Sequence, residues 1–502
     1  MPQRFTSLTR VALLSMLALL AVACGRPSLV PETHQLATAP PVTPPADAPV
    51  VLIEAHPDNP GRAIPSDFLG LGYDAPLLPG EYFDEENTQF INLLKNLGEG
   101  VLCFGANGLE HTYWPRDAFS RFRFRFRNAH AVLSPGDVDR MFAFARKAGW
   151  RVIFGLNLGA NDPGMAADLA EYANRSGGNQ ILAFEVGNEP DLYYRNGLRS
   201  SSYSYADYHR EYAAYVRAIR ERVPGAPVAG PVTASRFAWF SNFLADEASN
   251  IVLATNHHYP LNADTDLDPT DPKYASIENL LSVETTTQTA DLARQYANAS
   301  QAANIPLRFD ETNSSYPAKD GVGDVFASSL WSVDYLFNLA ERGVSGANFF
   351  GGFRRHSYTP IYMEEGFPGF SQRFYPQPLY YGMLLFHIAA KGRVVPVDVN
   401  TDLNVTAHAA LGEDGQLRIV IVNKDFNQTI DCRITSADSY TEATAMRLAA
   451  ESLLAEEGIT LGGSPVNEDG TWFPREEEPV ASNGSAFQVV VPAASAVLVT
   501  LR

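Results

Sequence analysis

Two acidic residues of this chain stand where strand-like runs end. The apolar run Ile181-Leu182-Ala183-Phe184 leads into Glu185-Val186-Gly187-Asn188-Glu189-Pro190-Asp191, and Leu307-Arg308-Phe309-Asp310 leads into Glu311-Thr312-Asn313. A carboxylate at the C-terminal end of a parallel strand is well placed for catalysis in a barrel. Two of them are the equipment for glycoside hydrolysis, which needs a proton donor for the leaving oxygen and a nucleophile or base on the other side of the anomeric carbon. Glu189 is the candidate donor and Glu311 the candidate nucleophile. Pro190 restricts the backbone of Glu189, and Asn188 is placed to hydrogen-bond a sugar hydroxyl. Taken alone, Asn188-Glu189-Pro190-Asp191 also fits a plain turn that opens a helix, with Asp191 as its cap. The second carboxylate and the pattern around it favour the chemical reading. That chemistry calls for no cofactor and no metal, and no CxxC or His-rich spacing points to one.

The elements that must position these residues alternate. Strand-like segments fall at 69–73, 100–104, 151–156, 181–184, 227–229, 251–256, 307–309 and 347–350, with amphipathic stretches such as 138–148 and 205–222 between them. Strands alternating with helices imply a parallel sheet, and eight over this length predict an α/β fold, a closed (β/α)₈ TIM barrel over residues 63–391. After residue 392 the character changes. Short strands at 394–399, 404–410, 417–422, 429–434 and 489–501, separated by turns such as Asn467-Glu468-Asp469-Gly470, predict an all-β sandwich over 392–502. With 502 residues the chain is long enough for more than one domain. A hydrophobic share of 45% supports a large core and excludes global disorder.

The formal charge of −19 argues against nucleic acid as a partner, because phosphate binding needs a basic footprint. At the N-terminus, Arg4 and Arg10 precede the apolar run 11–22 and a small-residue ending, the pattern of a signal peptide over 1–24. Ala21-Val22-Ala23-Cys24 resembles a bacterial lipobox, with Cys24 as the lipidated residue, although Ala21 departs from the usual Leu; cleavage as an ordinary signal peptide is the alternative. The expected location is extracytoplasmic, secreted or lipid-anchored, with membrane contact only through that anchor. Residues 25–49, rich in Pro, Ala and Thr, read as an extended tether. Residues 50–62 begin the folded part. Cys103 and Cys432 read as separate buried thiols. In Arg121-Phe122-Arg123-Phe124-Arg125-Phe126-Arg127, strict alternation puts Arg on one strand face and Phe on the other, either a subsite for an acidic polymer or a solvated edge that discourages pairing; the second reading is preferred.

The two acidic motifs, Glu185 to Asp191 and Asp310-Glu311-Thr312-Asn313-Ser314, resemble the signatures of glycoside hydrolase family 79, the clan A retaining glycosidases that include bacterial β-glucuronidases and heparanase-like enzymes. Ala63-Ile64-Pro65-Ser66-Asp67-Phe68-Leu69-Gly70, Asn256-His257-His258-Tyr259 and Gly346-Ala347-Asn348-Phe349-Phe350-Gly351-Gly352 are similar to its first, sixth and eighth barrel strands. Gly458 to Gly463 and the ending Ala494 to Leu501 are similar to its β domain. The resemblance implies a retaining mechanism, with Glu189 as acid/base and Glu311 as nucleophile. It implies Tyr259 as the hydrogen-bond donor to the nucleophile, Tyr316 and Tyr358 as holders of a glucuronate carboxylate, and a sandwich that recruits the strand near 50–55. Of His257 and His258, only one can face the barrel interior, and both read as structural. Three departures bear on the substrate. Cys103 and Ala106 stand where an Arg and a Gly are expected, Phe350 where a His is usual, and Pro317-Ala318 in place of a Gly-rich stretch. Arg354 and Arg355 could compensate by pairing with a carboxylate, or form a solvated loop pair. The implied substrate is a glucuronate-bearing oligo- or polysaccharide cleaved from its end. An endo-acting heparanase-like hydrolase, a β-glucosidase and a non-catalytic glycan-binding lipoprotein are the rivals.

Overall fold

The computed structural model describes residues 36–115, 129–264, 266–364, 372–484 and 486–502. The lipobox with Cys24, most of the tether and the Arg/Phe stripe at 121–127 lie outside the described residues. Eight strands follow one another around a closed parallel barrel. They are β1 (Leu69–Asp74), β2 (Val101–Gly105), β3 (Arg151–Leu156), β4 (Ile181–Val186), β5 (Val228–Thr233), β6 (Leu253–His258), β7 (Leu307–Thr312) and β8 (Gly346–Gly351). The ring closes where β8 pairs with β1, Ala347 opposite Leu69 and Gly351 opposite Tyr73. Almost every residue of these strands is buried, as expected where both faces of a parallel sheet are covered.

Among the described residues, one long helix follows each strand: α1 (Thr88–Asn96), α2 (Pro135–Ala148), α3 (Pro163–Gly177), α4 (Tyr205–Arg222), α5 (Phe237–Glu247), α6 (Val283–Ala302), α7 (Phe326–Glu341) and α8 (Pro378–Ala389). Their starts are written locally. Ser134 with Asp137, and Ser204 with Asp207, form capping boxes at α2 and α4. α2 stops at Gly149, which is left-handed with φ 78° and therefore suits glycine.

The inward residues Val101, Ile153, Ala183, Ala229 and Leu253 pack with Cys103 into an apolar plug in the barrel. Below it the buried Arg308 closes the floor, donating to Asn348 Oδ1 and to the carbonyls of Asp67 and Phe68. The site therefore opens only at the C-terminal rim.

The β domain is a sandwich of two sheets. One contains Arg393–Val395, Val405–Leu411, Leu417–Asn423, Ser495–Leu501, Ala443–Ala449 and Glu476–Pro479 in adjacent order. The other runs Val397–Asn400, Val50–Ala55, Ile430–Ser436, Phe487–Val491 and Ala481–Ser482. Val50–Ala55 alternates between exposed and buried, and its inward Val51, Ile53 and Ala55 join the inter-sheet core. Two segments expected as single strands are broken by Pro396 and Pro492, where the chain crosses between sheets. Part of the expected tether is also ordered, since Ala37–Thr38 pairs in parallel with Glu476 and Glu477. Cys103 and Cys432 are separate buried free thiols.

Candidate active site

Successive side chains on a strand point to opposite faces, which sends Cys103 of β2, Glu185 of β4, and Thr255 and His257 of β6 into the barrel. β7 breaks the rule. Its register slips between Phe309 and Thr312 against β8, and between Thr255 and His257 against β6. A β-bulge inserts one residue and re-aims its neighbours. The consecutive Asp310 and Glu311 consequently line one small cavity, together with Cys103, Ala106, Glu185, Asn188, His257 and Phe350.

Glu189 reaches the same space from the turn after β4. Gly187 is left-handed with φ 86°, and a Cβ there would come within 2.7 Å of the Tyr193 hydroxyl. Glu189 is itself left-handed, φ 49°, a strained state for a residue with a Cβ that persists only where the surroundings impose it. Its N–H donates to the Val232 carbonyl at 2.9 Å. Buried Glu110 accepts from the Asn188 N–H at 2.8 Å and from the Tyr193 hydroxyl. Asp191 accepts from the backbone of Ala234, Ser235 and Arg236. Asp191 is thus a cap, but for the loop after β5 rather than for a helix of its own. Both carboxylates hold the turn that presents Glu189.

His257 sits among the acids. Its Nδ1 is 2.9 Å from Glu189 Oε1 and 3.8 Å from Glu311 Oε1, and its Nε2 is 3.8 Å from Asp310 Oδ2. Glu311 Oε1 also accepts from the Tyr259 hydroxyl at 2.8 Å. Burial would lower the His257 value, but the Glu311 charge and the hydrogen bonds to Asp310 and Glu189 outweigh it and raise it well above the ordinary imidazole range. The Glu311 carboxyl is pushed up to about 7, by burial first and by the Glu189 charge, against the opposing pull of His257 and Tyr259. That retained proton belongs to the group of carboxyls rather than to one oxygen. Glu185 is raised well above its usual range by burial and by Asp310, while Thr255 donates to it at 2.6 Å. Burial raises the Cys103 thiol too, so it stays protonated and is no nucleophile.

The structure brings Glu189, Glu311, Asn188 and Tyr259 together. The Tyr259 ring centroid is 5.4 Å from that of Tyr316 and 6.3 Å from that of Tyr358, which makes one aromatic wall beside Glu311. Tyr358 is buried and Tyr316 half exposed. Of the two readings of the arginine pair, these contacts fit the solvated loop pair: Arg355 pairs with Glu457 of the β domain, and Arg354 is exposed. His258 is structural as expected, bonded to the Tyr335 hydroxyl and held near 4 by burial. His257 is not merely structural, and the sequence reading missed it, along with Glu110 and the Glu185–Asp310 pair. The departures Cys103, Ala106 and Phe350 all fall on the floor of the one cavity. Among the described residues, three groups have donor atoms within 4.8 Å of one another and could hold a cation: Glu189/His257/Glu311, Cys103/Glu185/Asp310 and Asp320/Asp324/His356.

Comparison with known proteins agrees with this geometry. Residues 407–498 match the glycosyl hydrolase family 79 C-terminal beta domain. A β-glucuronidase of Aspergillus niger is 25% identical over 330 residues, 60% of this chain and 58% of that protein. A β-glucuronidase of Neurospora crassa is 28% identical over 241 residues, 42% of each. The chain thus matches about half the length of these curated relatives. Among solved structures, a 4-O-α-L-rhamnosyl-β-D-glucuronidase from Fusarium oxysporum 12S superposes with a TM-score of 0.73 at 18% identity, covering 93% of this chain and all of that one. A family 51 arabinofuranosidase from Xanthomonas axonopodis pv. citri superposes with a TM-score of 0.66 at 14% identity, over 90% of this chain and 99% of that one. At these identities the structural likeness speaks for the fold, a TIM-like barrel with a C-terminal β domain. The chain is similar to glycoside hydrolase family 79, whose β domain it carries.

Proposed function

We propose that this chain is a retaining glycoside hydrolase, an exo-acting β-glucuronidase that releases terminal glucuronic acid, with or without a 4-O-methyl group, from glycans by double displacement. One observation carries the reading: Glu189 and Glu311, at the ends of β4 and β7, hold carboxylate oxygens within 4.8 Å of each other. Retaining enzymes keep their two carboxyl groups about 5–5.5 Å apart, whereas inverting enzymes leave room for a water between them.

Glu311 attacks the anomeric carbon while Glu189 protonates the departing oxygen. Glu189, now a base, then takes a proton from the water that cleaves the glycosyl–Glu311 bond. His257 and Tyr259 favour an ionised Glu311 at the moment of attack, and the Nδ1 of His257 orients the Glu189 carboxyl. The similarity to β-glucuronidases supports a sugar carboxylate, received by the hydroxyls of Tyr316 and Tyr358.

A second reading has one observation in its favour. Pro317 has no N–H to offer a carboxylate, so a neutral β-glycoside is the rival substrate. Hydrolysis of aryl β-glucuronide, β-glucoside, β-galactoside and β-xyloside separates the two. Preference for the glucuronide supports the proposal, and activity confined to a neutral sugar overturns it. Turnover of internal polymer linkages with none of the aryl substrates would indicate an endo-acting enzyme. Silence toward both, from folded protein, would indicate a glycan-binding lipoprotein. The N-terminal pattern supports an extracytoplasmic, lipid-anchored protein; loss of membrane association on Cys24→Ala tests the anchor.

A further inference from the structure

A second cluster of ionisable groups sits on the barrel rim, outside the acid/base machinery. Asp320 and Asp324 lie in the loop after β7, and His356 in the loop after β8. One donor atom of each falls within 4.8 Å of the others. Asp324 is the informative member. Its side chain is only 1% exposed, and its Oδ1 accepts from the Gly321 N–H at 2.7 Å. Its Oδ2 has no hydrogen-bond partner among the described residues and faces His356 Nδ1 at 3.8 Å. A buried carboxylate oxygen without a donor is costly, and an unplaced ion is one of the few explanations for it. From the β domain, Glu456 brings Oε2 within 3.3 Å of the same imidazole nitrogen. Segment 453–455 is already fixed there, because its Leu453 and Ala455 carbonyls accept the N–H groups of Ala327 and Phe326 at the start of α7.

We propose that Asp320, Asp324 and His356, with Glu456 as the nearest further donor, form a binding site for a divalent cation of the zinc–manganese class. A mixed set of carboxylates and one imidazole suits that class better than calcium or magnesium, which take oxygen donors. Metal–ligand distances of about 2.0–2.2 Å put neighbouring donors of a tetrahedral site roughly 3.3–3.6 Å apart, and the separations around His356 Nδ1 are 3.3 and 3.8 Å. Two carboxyls next to each other need either a shared proton or a cation. The bound ion would join three segments: the loop that carries Tyr316, the loop that carries Tyr358, and the β domain. It would act as a positioning device for the aromatic wall, remote from the reacting atoms.

The test is isothermal titration of the purified, chelator-treated chain with ZnCl₂ and MnCl₂. Glu189→Gln is run in parallel, because the Glu189/His257/Glu311 group is a competing site. The expected result is one saturable equivalent that survives Glu189→Gln. It weakens by at least the roughly 10–100-fold that losing even an outer partner costs in Asp324→Asn and in the half-exposed His356→Ala. A cation-dependent rise in melting temperature should accompany it in wild type and vanish in both rim variants. No saturable binding overturns the proposal. So does binding that both rim variants leave unchanged, or binding of calcium alone with His356→Ala indifferent. These readouts need no turnover, so failure of the glucuronidase reading leaves them intact. Where activity is present, the cation lowers KM without changing kcat in wild type and leaves both unchanged in His356→Ala.

Discussion

Two of the clusters of buried charge among the described residues make a contrast, one at the seam between barrel and β domain and one inside the barrel. At the seam, Asp334 of α7 meets Lys424 Nζ at 2.6 Å and His408 Nε2 at 2.7 Å, and His408 Nδ1 meets Glu341 at 2.6 Å. Two acids face two bases, and Phe337 stacks on the imidazole with centroids 5.0 Å apart. Burial alone would raise the Asp334 carboxyl, but Lys424 and His408 outweigh it and hold it well below the usual range. In the barrel, Glu185, Glu189, Asp310 and Glu311 share a single imidazole, His257, and the Glu311 carboxyl rises to about 7. Both clusters are desolvated, so burial does not distinguish them. Compensation does. Matched charge welds two domains. Unmatched charge leaves carboxyls holding protons near neutral pH, which is the condition for acid/base work. The departures at Cys103 and Phe350 extend the imbalance, since the resemblance to family 79 leads one to expect cationic or ionisable groups at both places.

The comparison is broken most forcefully at the acids. Glu311→Ala should reduce kcat on the order of 10⁴-fold or more, as removal of a nucleophile does elsewhere. Glu189→Ala should cost natural glycans about 10²–10⁴-fold and spare aryl substrates whose leaving group needs no proton. Equal losses on both substrate types would remove Glu189 from the acid role. At the seam the loss should fall on stability. Asp334→Ala strands Lys424 and His408, and should cost about 3–5 kcal/mol in chemical denaturation with kcat of the folded fraction unchanged. Asp310→Asn, which removes one of four crowded carboxylates, should change stability by less than about 1 kcal/mol or increase it. A destabilisation as large as that of Asp334→Ala would mean that the barrel cluster is matched after all.

The clusters should also lose stability in different pH windows. His408 is raised to about 9 by Glu341 and Asp334, against burial. Its contribution is complete below the unfolded value near 6.5 and is lost as pH rises through about 9, a fall on the order of 3 kcal/mol. Glu311 is raised above its unfolded value, so the folded state binds the extra proton, and stability declines as pH climbs from about 4.5 to about 7. Denaturation midpoints across this range should show both declines in wild type. His408→Gln should abolish only the alkaline one, and Glu311→Gln only the acidic one.

The order of strands and helices was legible because apolar runs repeat with helical spacers between them. Their functional ends were less so. The expected strands stop at 184, 229, 256 and 309, whereas β4, β5, β6 and β7 run on to Val186, Thr233, His258 and Thr312. The missing residues include Glu185, Thr255's neighbour His257, Asp310 and Glu311, polar groups that look like turns in a sequence but point into a barrel. Alternation did show that only one of His257 and His258 faces inward. That His257 lies between two acids follows from β4 and β7, more than a hundred residues apart, so no local motif could reveal it. Nor could spacing expose the bulge that aims Asp310 and Glu311 into one cavity. In the β domain the signal was present and underused. Pro396 and Pro492 each interrupt a run, and a proline cannot donate to a ladder, so each marks the point where the chain changes sheets.

The finest test concerns one hydroxyl that partly offsets the imbalance at Glu311. Tyr259 donates to Glu311 Oε1 at 2.8 Å, a bond that favours the ionised form of this proposed nucleophile. Tyr259→Phe keeps the ring between Tyr316 and Tyr358 and removes only that donor. The Glu311 value should then rise further, by about half to one pH unit for a bond worth ~1 kcal/mol. Because attack needs an ionised Glu311, the acid limb of kcat/KM should move to higher pH by the same amount, while the rate above that limb falls only several-fold. The profile of kcat/KM against pH on an aryl glucuronide reads both effects. An unmoved acid limb with a uniform loss at every pH would mean that the bond does not tune Glu311 and that the hydroxyl acts on the substrate. The charge of the barrel cluster would then be balanced by His257 alone.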